Sequence, residues 1–156
     1  MRIFKRHFRR RNNNDDVLIN IINSIKDVRL NNDILAICPD NTGYSWLGVK
    51  TGATALFPDN IIYLPQYYSS TIFDKSQIIL LSDVISELNF KIIVFRGFPP
   101  YFEDICCRLK KNMKYLKIYV LYAGFLAENA TNVSARDSFS SIIRLSKASI
   151  IDKVGF

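Results

Sequence analysis

The chain has 156 residues, of which 49% are hydrophobic and 13% aromatic, with 6 Gly and 5 Pro. That size and composition describe one packed globular domain and exclude a disordered or fibrous chain. The formal net charge is +7, and the 3 cysteines (Cys38, Cys106, Cys107) show neither a CxxC spacing nor a Cys/His cluster, which argues against a disulfide framework and a zinc site.

The first residues are basic. Arg2, Lys5, Arg6, Arg9, Arg10 and Arg11 precede any acid, with the single histidine, His7, among them. Such an arm, 1–15, attracts anionic lipid headgroups or nucleic acid, or is simply a solvated terminus; of the two partners, a membrane surface is favoured over nucleic acid. It lacks the apolar core of a secretory signal, and no later run has the length of a membrane span. A cytoplasmic protein is expected, at most peripheral at the inner membrane surface, with one domain over 16–156.

The asparagine and aspartate run at 12–16 suits a helix start, and Val17, Leu18, Ile21, Ile22 and Ile25 recur at helical spacing, predicting a helix over 16–28. A continuous apolar run over 34–38, stopped by Pro39, has the signature of a parallel strand buried on both faces. The same signature returns over 61–64, 92–95 and 118–122. Helical patterns lie between and after these runs, over 46–56, 74–88, 100–112 and 137–147, and a last short strand is expected to begin at Ser149, Ile150 and Ile151.

The unit over 91–124 is the best specified. Pro99 and Pro100 suit the first helical turn, Glu103 and Asp104 follow them, and Arg108, Lys110 and Lys111 lie at the other end, so the charges complement the helix dipole. Tyr101, Phe102, Ile105, Cys106 and Leu109 form one apolar stripe, which must cover a sheet. Strand and helix alternate throughout, so the fold expected is α/β: an open, doubly wound, mostly parallel sheet of Rossmann-like or flavodoxin-like type.

In such a sheet ligands bind beyond the carboxyl ends of the strands. The loop after the first strand carries Gly43, Trp46 and Gly48, but neither a GxGxxG nor a GxxxxGK[ST] pattern, so no dinucleotide, triphosphate or other cofactor is implied. These residues read as ligand contacts or as turn glycines and a core tryptophan. Arg96 and Gly97 follow the 92–95 strand, where an arginine either meets a phosphate or carboxylate or stays at the surface. With His7 in the arm, a general base in the crevice would have to be a carboxylate, and Asp40, Glu128 and Asp137 read more simply as turn, cap or surface residues. Cys38, Cys106 and Cys107, on a strand and on the inner face of a helix, read as small hydrophobes.

The stretch IIVFRGFPPYFEDICCRLKKNMKYLKIYVLYAGFLAE, followed by SSIIRLSKASIIDKVGF, resembles the amino-terminal domain of bacterial two-domain glycosyltransferases of the GT-B type. The family pattern is a strand ending in a Gly-aromatic-Pro turn, a helix, a strand, a Tyr/Trp-His-Gly loop, and a further helix leading to a segment like IDKVGF. SWLGV and LFPDNIIYLPQ are compatible with it, so the likeness covers 33–156. It implies an acceptor-side domain in which Gly43, Trp46, Gly48, Arg96, Gly97, Tyr122 and Gly124 line the pocket for a glycan or lipid-linked acceptor. Where the family often has histidine this chain has Ala123, and the nucleotide-sugar donor is held by a second, carboxyl-terminal domain, to be sought beyond Phe156 or on another chain. The competing expectation is a non-catalytic α/β binding or interaction module using the same crevice.

Overall fold

The computed structural model describes residues 13–40, 60–65, 73–121 and 133–155. In chain order these form α1 (Asn13–Asp27), β1 (Ile34–Asp40), β2 (Ile61–Pro65), α2 (Lys75–Ser86), β3 (Ile92–Arg96), α3 (Phe102–Asn112), β4 (Lys117–Leu121), α4 (Val133–Lys147) and β5 (Lys153–Gly155). The five strands make one sheet of order β2-β1-β3-β4-β5, and every pairing is parallel. From β1 the chain steps outward to β2, then returns past β1 to β3, β4 and β5, so the winding direction reverses between β1 and β3. This is the strand order of a Rossmann-like open α/β fold of the flavodoxin-like kind, with its topological switch point at β1/β3.

Because side chains alternate along a strand, the register assigns each residue to a face. Ile37 lies level with Ile62 and Phe95, and Phe95 with Val120. With Leu35, Ile93, Ile118 and Leu64 they make the helix-covered face, and all of them join one core with Leu18 and Ile25 of α1, Ile78, Leu81 and Ile85 of α2, Ile105 and Leu109 of α3, and Ile142 and Leu145 of α4. All four described helices therefore pack on the same face. The helix expected over 46–56 lies outside the described residues. At roughly 1.5–3 kcal/mol for each fully buried apolar side chain, this face supplies the main stabilisation of the fold.

The second face carries Ala36, Cys38, Ile61, Tyr63, Val94, Arg96, Tyr119, Leu121, Lys153 and Gly155. Its burial is graded: Ala36 and Cys38 are 0% exposed and Val94 7%, whereas Leu121 is 38% exposed. The uniformly buried strand expected from the apolar runs is found in β1 and β3; β2 and β4 instead alternate, because they lie toward the sheet edges.

Several boundaries move for local reasons. β1 runs on through Pro39 to Asp40, paired with Leu64 and Pro65 of β2. Its ladder to β3 has ended at Ile37, and a proline is tolerated where a strand has outrun one neighbour. α2 begins after Asp74, whose side chain accepts from the Gln77 amide while Gln77 returns a bond to the Asp74 amide, a reciprocal capping box. α4 starts before the predicted position, so Asp137 is an exposed residue inside the helix and not its cap. The last strand begins at Lys153 because Ile150 and Ile151 both donate to Leu145 O in closing α4, with Ser149 at φ 60°.

Candidate site at the carboxyl edge of the sheet

The stripe predicted for α3 is buried as expected. Tyr101, Phe102, Ile105, Cys106 and Leu109 all sit in the core, and an aromatic group forms beneath the carboxyl edge: Phe102 packs on Phe95 at 5.2 Å, on Phe98 at 5.7 Å and on Tyr101 at 4.9 Å between ring centroids. Phe73 completes it, edge-on to Tyr101 at 6.0 Å. Such edge-to-face pairs add stability beyond the area they bury. The Tyr101 hydroxyl donates to Pro65 O at 2.6 Å, tying the β3–α3 turn to the end of β2 across the switch point. Sequence patterning marks Tyr101 as apolar stripe and misses this second role.

The turn itself is narrow. Gly97 has φ 102° and donates its amide to Leu121 O at 3.0 Å, a left-handed conformation that glycine adopts without Cβ strain. Phe102 donates to Pro99 O and Glu103 to Pro100 O, so two of the orphan amides at the start of α3 are satisfied within the turn.

On the second face, Arg96 lies level with Leu121, and Leu121 with Gly155; Cys38, one residue beyond the Ile37–Phe95 pair, continues the row on β1 and lies level with Tyr63. Tyr63, Cys38, Arg96, Leu121 and Gly155 thus line a row near the carboxyl edge, with the Asp40–Pro65 pair of β1 and β2 two residues further along the same face. Gly155 is where β5 meets the Leu121 side chain, since a Cβ there would come within 2.9 Å of Leu121 Cδ2. One row earlier Tyr119 lies level with Lys153. Arg96 is partly buried. Among the described residues it makes no hydrogen bond or ion pair, whereas Arg108 forks onto Asp83 (Nε–Oδ1 3.0 Å, Nη2–Oδ2 3.2 Å), Arg144 reaches Glu103 at 2.8 Å, and Arg29 bonds Lys26 O at 2.8 Å.

Of the predicted site residues, Arg96 and Gly97 therefore stand together at the switch-point edge. Gly43, Trp46, Gly48, Tyr122 and Gly124, and Arg6, Arg9, Arg10 and Arg11 of the arm, lie outside the described residues. The sequence also misses Tyr119, Lys153 and Gly155, which only the strand register brings to the same face.

Cys38 and Cys106 are buried, as small hydrophobes are. All three cysteines are thiols, and Cys106 is fully enclosed; burial, then the neighbouring Cys107 and Glu103, push its thiol well up. Cys107 departs from expectation: it is exposed on the outer side of α3, and partial burial with Glu103 and Asp104 nearby raises its thiol too. No group of three metal-ligating side chains occurs among the described residues.

Two open clefts lie elsewhere. One, of about 300 Å³, runs between α1 and β2 and is lined by Asn20, Ile21, Ser24 and Tyr63. The other, of about 440 Å³, lies at the amino edge and is lined by Arg29, Asn31, Asp33 and Glu87, at the end of the strands where open α/β sheets do not bind ligands. That amino edge is closed by a satisfied network. Buried Asn60 donates through Nδ2 to Asn31 Oδ1 (3.0 Å), Asn32 Oδ1 (2.8 Å) and Ile34 O (3.0 Å), and its Oδ1 accepts from the Asn31 amide at 3.1 Å.

No protein family, curated protein or solved structure matches the chain. Among the described residues no helix is long and apolar enough to cross a membrane.

Proposed function

We propose that this chain is the acceptor-side, amino-terminal domain of a GT-B-type glycosyltransferase, acting with a donor-binding domain to transfer a sugar from a nucleotide to a glycan or lipid-linked acceptor. The observation that carries the reading is a coincidence. Within the stretch over 91–124 that bears the family resemblance, β3, the Arg96–Gly97 turn, α3 and β4 together flank the carboxyl-edge switch point. In this reading Arg96 and Gly97 line the acceptor pocket, joined by Gly43, Trp46, Gly48, Tyr122 and Gly124, and the domain supplies binding and orientation. The basic arm, with Arg6, Arg9, Arg10 and Arg11, leans on an anionic membrane that presents the acceptor, each such residue contributing about 1 kcal/mol.

The test is binding of the chain to an array of free and lipid-linked glycans beside a panel of nucleotide sugars. Glycan binding that Arg96→Ala weakens, with little affinity for nucleotide sugars, is the expected result. Tight binding of a nucleotide sugar to this chain alone would sink the assignment of the donor site to another domain. Co-sedimentation with vesicles containing anionic lipid, abolished by replacing Arg9, Arg10 and Arg11 with alanine, checks the arm.

A further inference from the structure

We infer that Arg96 receives an oxyanion, a phosphate or carboxylate, borne by the molecule bound at the carboxyl edge, so that the acceptor is an acidic or phosphorylated sugar. The inference rests on the acceptor-side reading and deepens it by naming the ligand's chemistry.

Three observations carry it. First, Arg29, Arg108 and Arg144 each donate to a protein acceptor, whereas partly buried Arg96 donates to none among the described residues. A guanidinium with no protein acceptor has its fork of donors available, and a bound oxyanion supplies the matching pair of acceptors. Second, its place is the row next to the β1/β3 switch point, beside Cys38 and Leu121, where open α/β sheets hold ligands. Third, the register assigns the cations Arg96, Lys117 and Lys153 to the second face at β3, β4 and β5, against one carboxylate, Asp40, at the end of β1. Lys117 is 3.9 Å from Asp152, while Lys153 lies level with Tyr119, one row below Leu121. A cationic excess on a partly covered surface attracts anions. The amides opening α3 are not the anion holder, since those of Phe102 and Glu103 bond the preceding turn.

Calorimetry of the full chain with glucose 6-phosphate, glucuronate, glucose and inorganic pyrophosphate tests this, using Arg96→Ala, Arg96→Lys and a control with Arg9, Arg10 and Arg11 replaced by alanine. A charge-assisted pair predicts that a charged probe binds the wild type and the arm control alike, roughly 10- to 100-fold more weakly to Arg96→Ala, and with partial recovery in Arg96→Lys. The two sugar acids separate phosphate from carboxylate as the preferred group. Glucose binding as well as the charged sugars, independently of Arg96, overturns the inference and leaves the acceptor reading standing. Pyrophosphate binding that depends on Arg96 while no sugar binds does the reverse. Loss of charged-probe binding in the arm control alone, or no charged probe binding at all, also overturns it.

Discussion

The two faces of the sheet are built on different terms. On the helix-covered face β1 to β4 contribute large apolar side chains to one core, and polar side chains of the helices above it pair with one another: Asp83 holds Arg108 and Asn112, and Glu103 holds Arg144. The second face runs from fully buried Ala36 and Cys38 to exposed Leu121 and leaves Arg96 unpaired among the described residues. The first is a scaffold whose contacts are internal. The second mixes the small Ala36, Cys38 and Gly155 with larger, partly exposed side chains and carries an unpaired cation near its carboxyl edge.

The contrast breaks most severely at Phe102, whose ring meets three others. Phe102→Ala is expected to cost about 3–5 kcal/mol in chemical denaturation, whereas Tyr119→Ala on the second face, only half-buried, is expected to cost about 1 kcal/mol. Equal losses would erase the distinction between the faces. The amino edge comes next: Asn60→Ala removes the bonds that join the start of β2 to β1 and should cost about 2–3 kcal/mol, with hydrogen exchange accelerated at the Ala36 amide, which bonds Asn60 O.

Asp152 gives a smaller and pH-dependent effect. Burial, which alone would raise its carboxyl, is outweighed by the Ile118 amide and the Lys110 and Lys117 ammonium groups, so the carboxyl lies below its usual range. The folded value being depressed, its stabilisation is present above the unfolded value of about 3.9 and is lost as pH falls through the folded one. Asp152→Asn should therefore flatten the acid limb of a stability profile below about pH 4. A limb that is unchanged removes Asp152 as the clamp between α3, β4 and the start of β5. The smallest effect is a gain. Ser82 Oγ is buried in α2 without a hydrogen-bond partner among the described residues, so Ser82→Ala should be neutral or stabilise by about 1 kcal/mol in thermal melts.

Much of the scaffold was legible beforehand. Apolar runs marked β1 to β4 and three-to-four spacing marked all four described helices, because burial is written into residue type one position at a time. The α3 stripe from Tyr101 to Leu109 is the clearest instance. What the runs conceal is lateral order: nothing in the spacing of 34–38 and 92–95 says that β1 and β3 are neighbours, with Ile37 level with Phe95 just before Arg96. Ile150 and Ile151 have the hydrophobicity of a strand, but their amides close α4 at Leu145 O, a bond that hydrophobicity does not report. Cys107 was assigned inward with Cys106, although adjacent helical positions diverge by 100° or so and only one of them falls on the buried stripe. Arg96 is visible in the sequence as an arginine at a strand end, but that it lacks, among the described residues, the protein partner that Arg29, Arg108 and Arg144 have emerges only in the structure.

The most direct measurement sets Arg96 against Arg108 in matched alanine variants, reading melting temperature and charged-sugar binding in the same samples. The account predicts that Arg108→Ala lowers the melting temperature and leaves binding intact, while Arg96→Ala leaves the melting temperature near that of the wild type and weakens binding at least about tenfold. An Arg96→Ala protein that melts early and binds as the wild type does would make Arg96 part of the scaffold and contradict the division between the two faces.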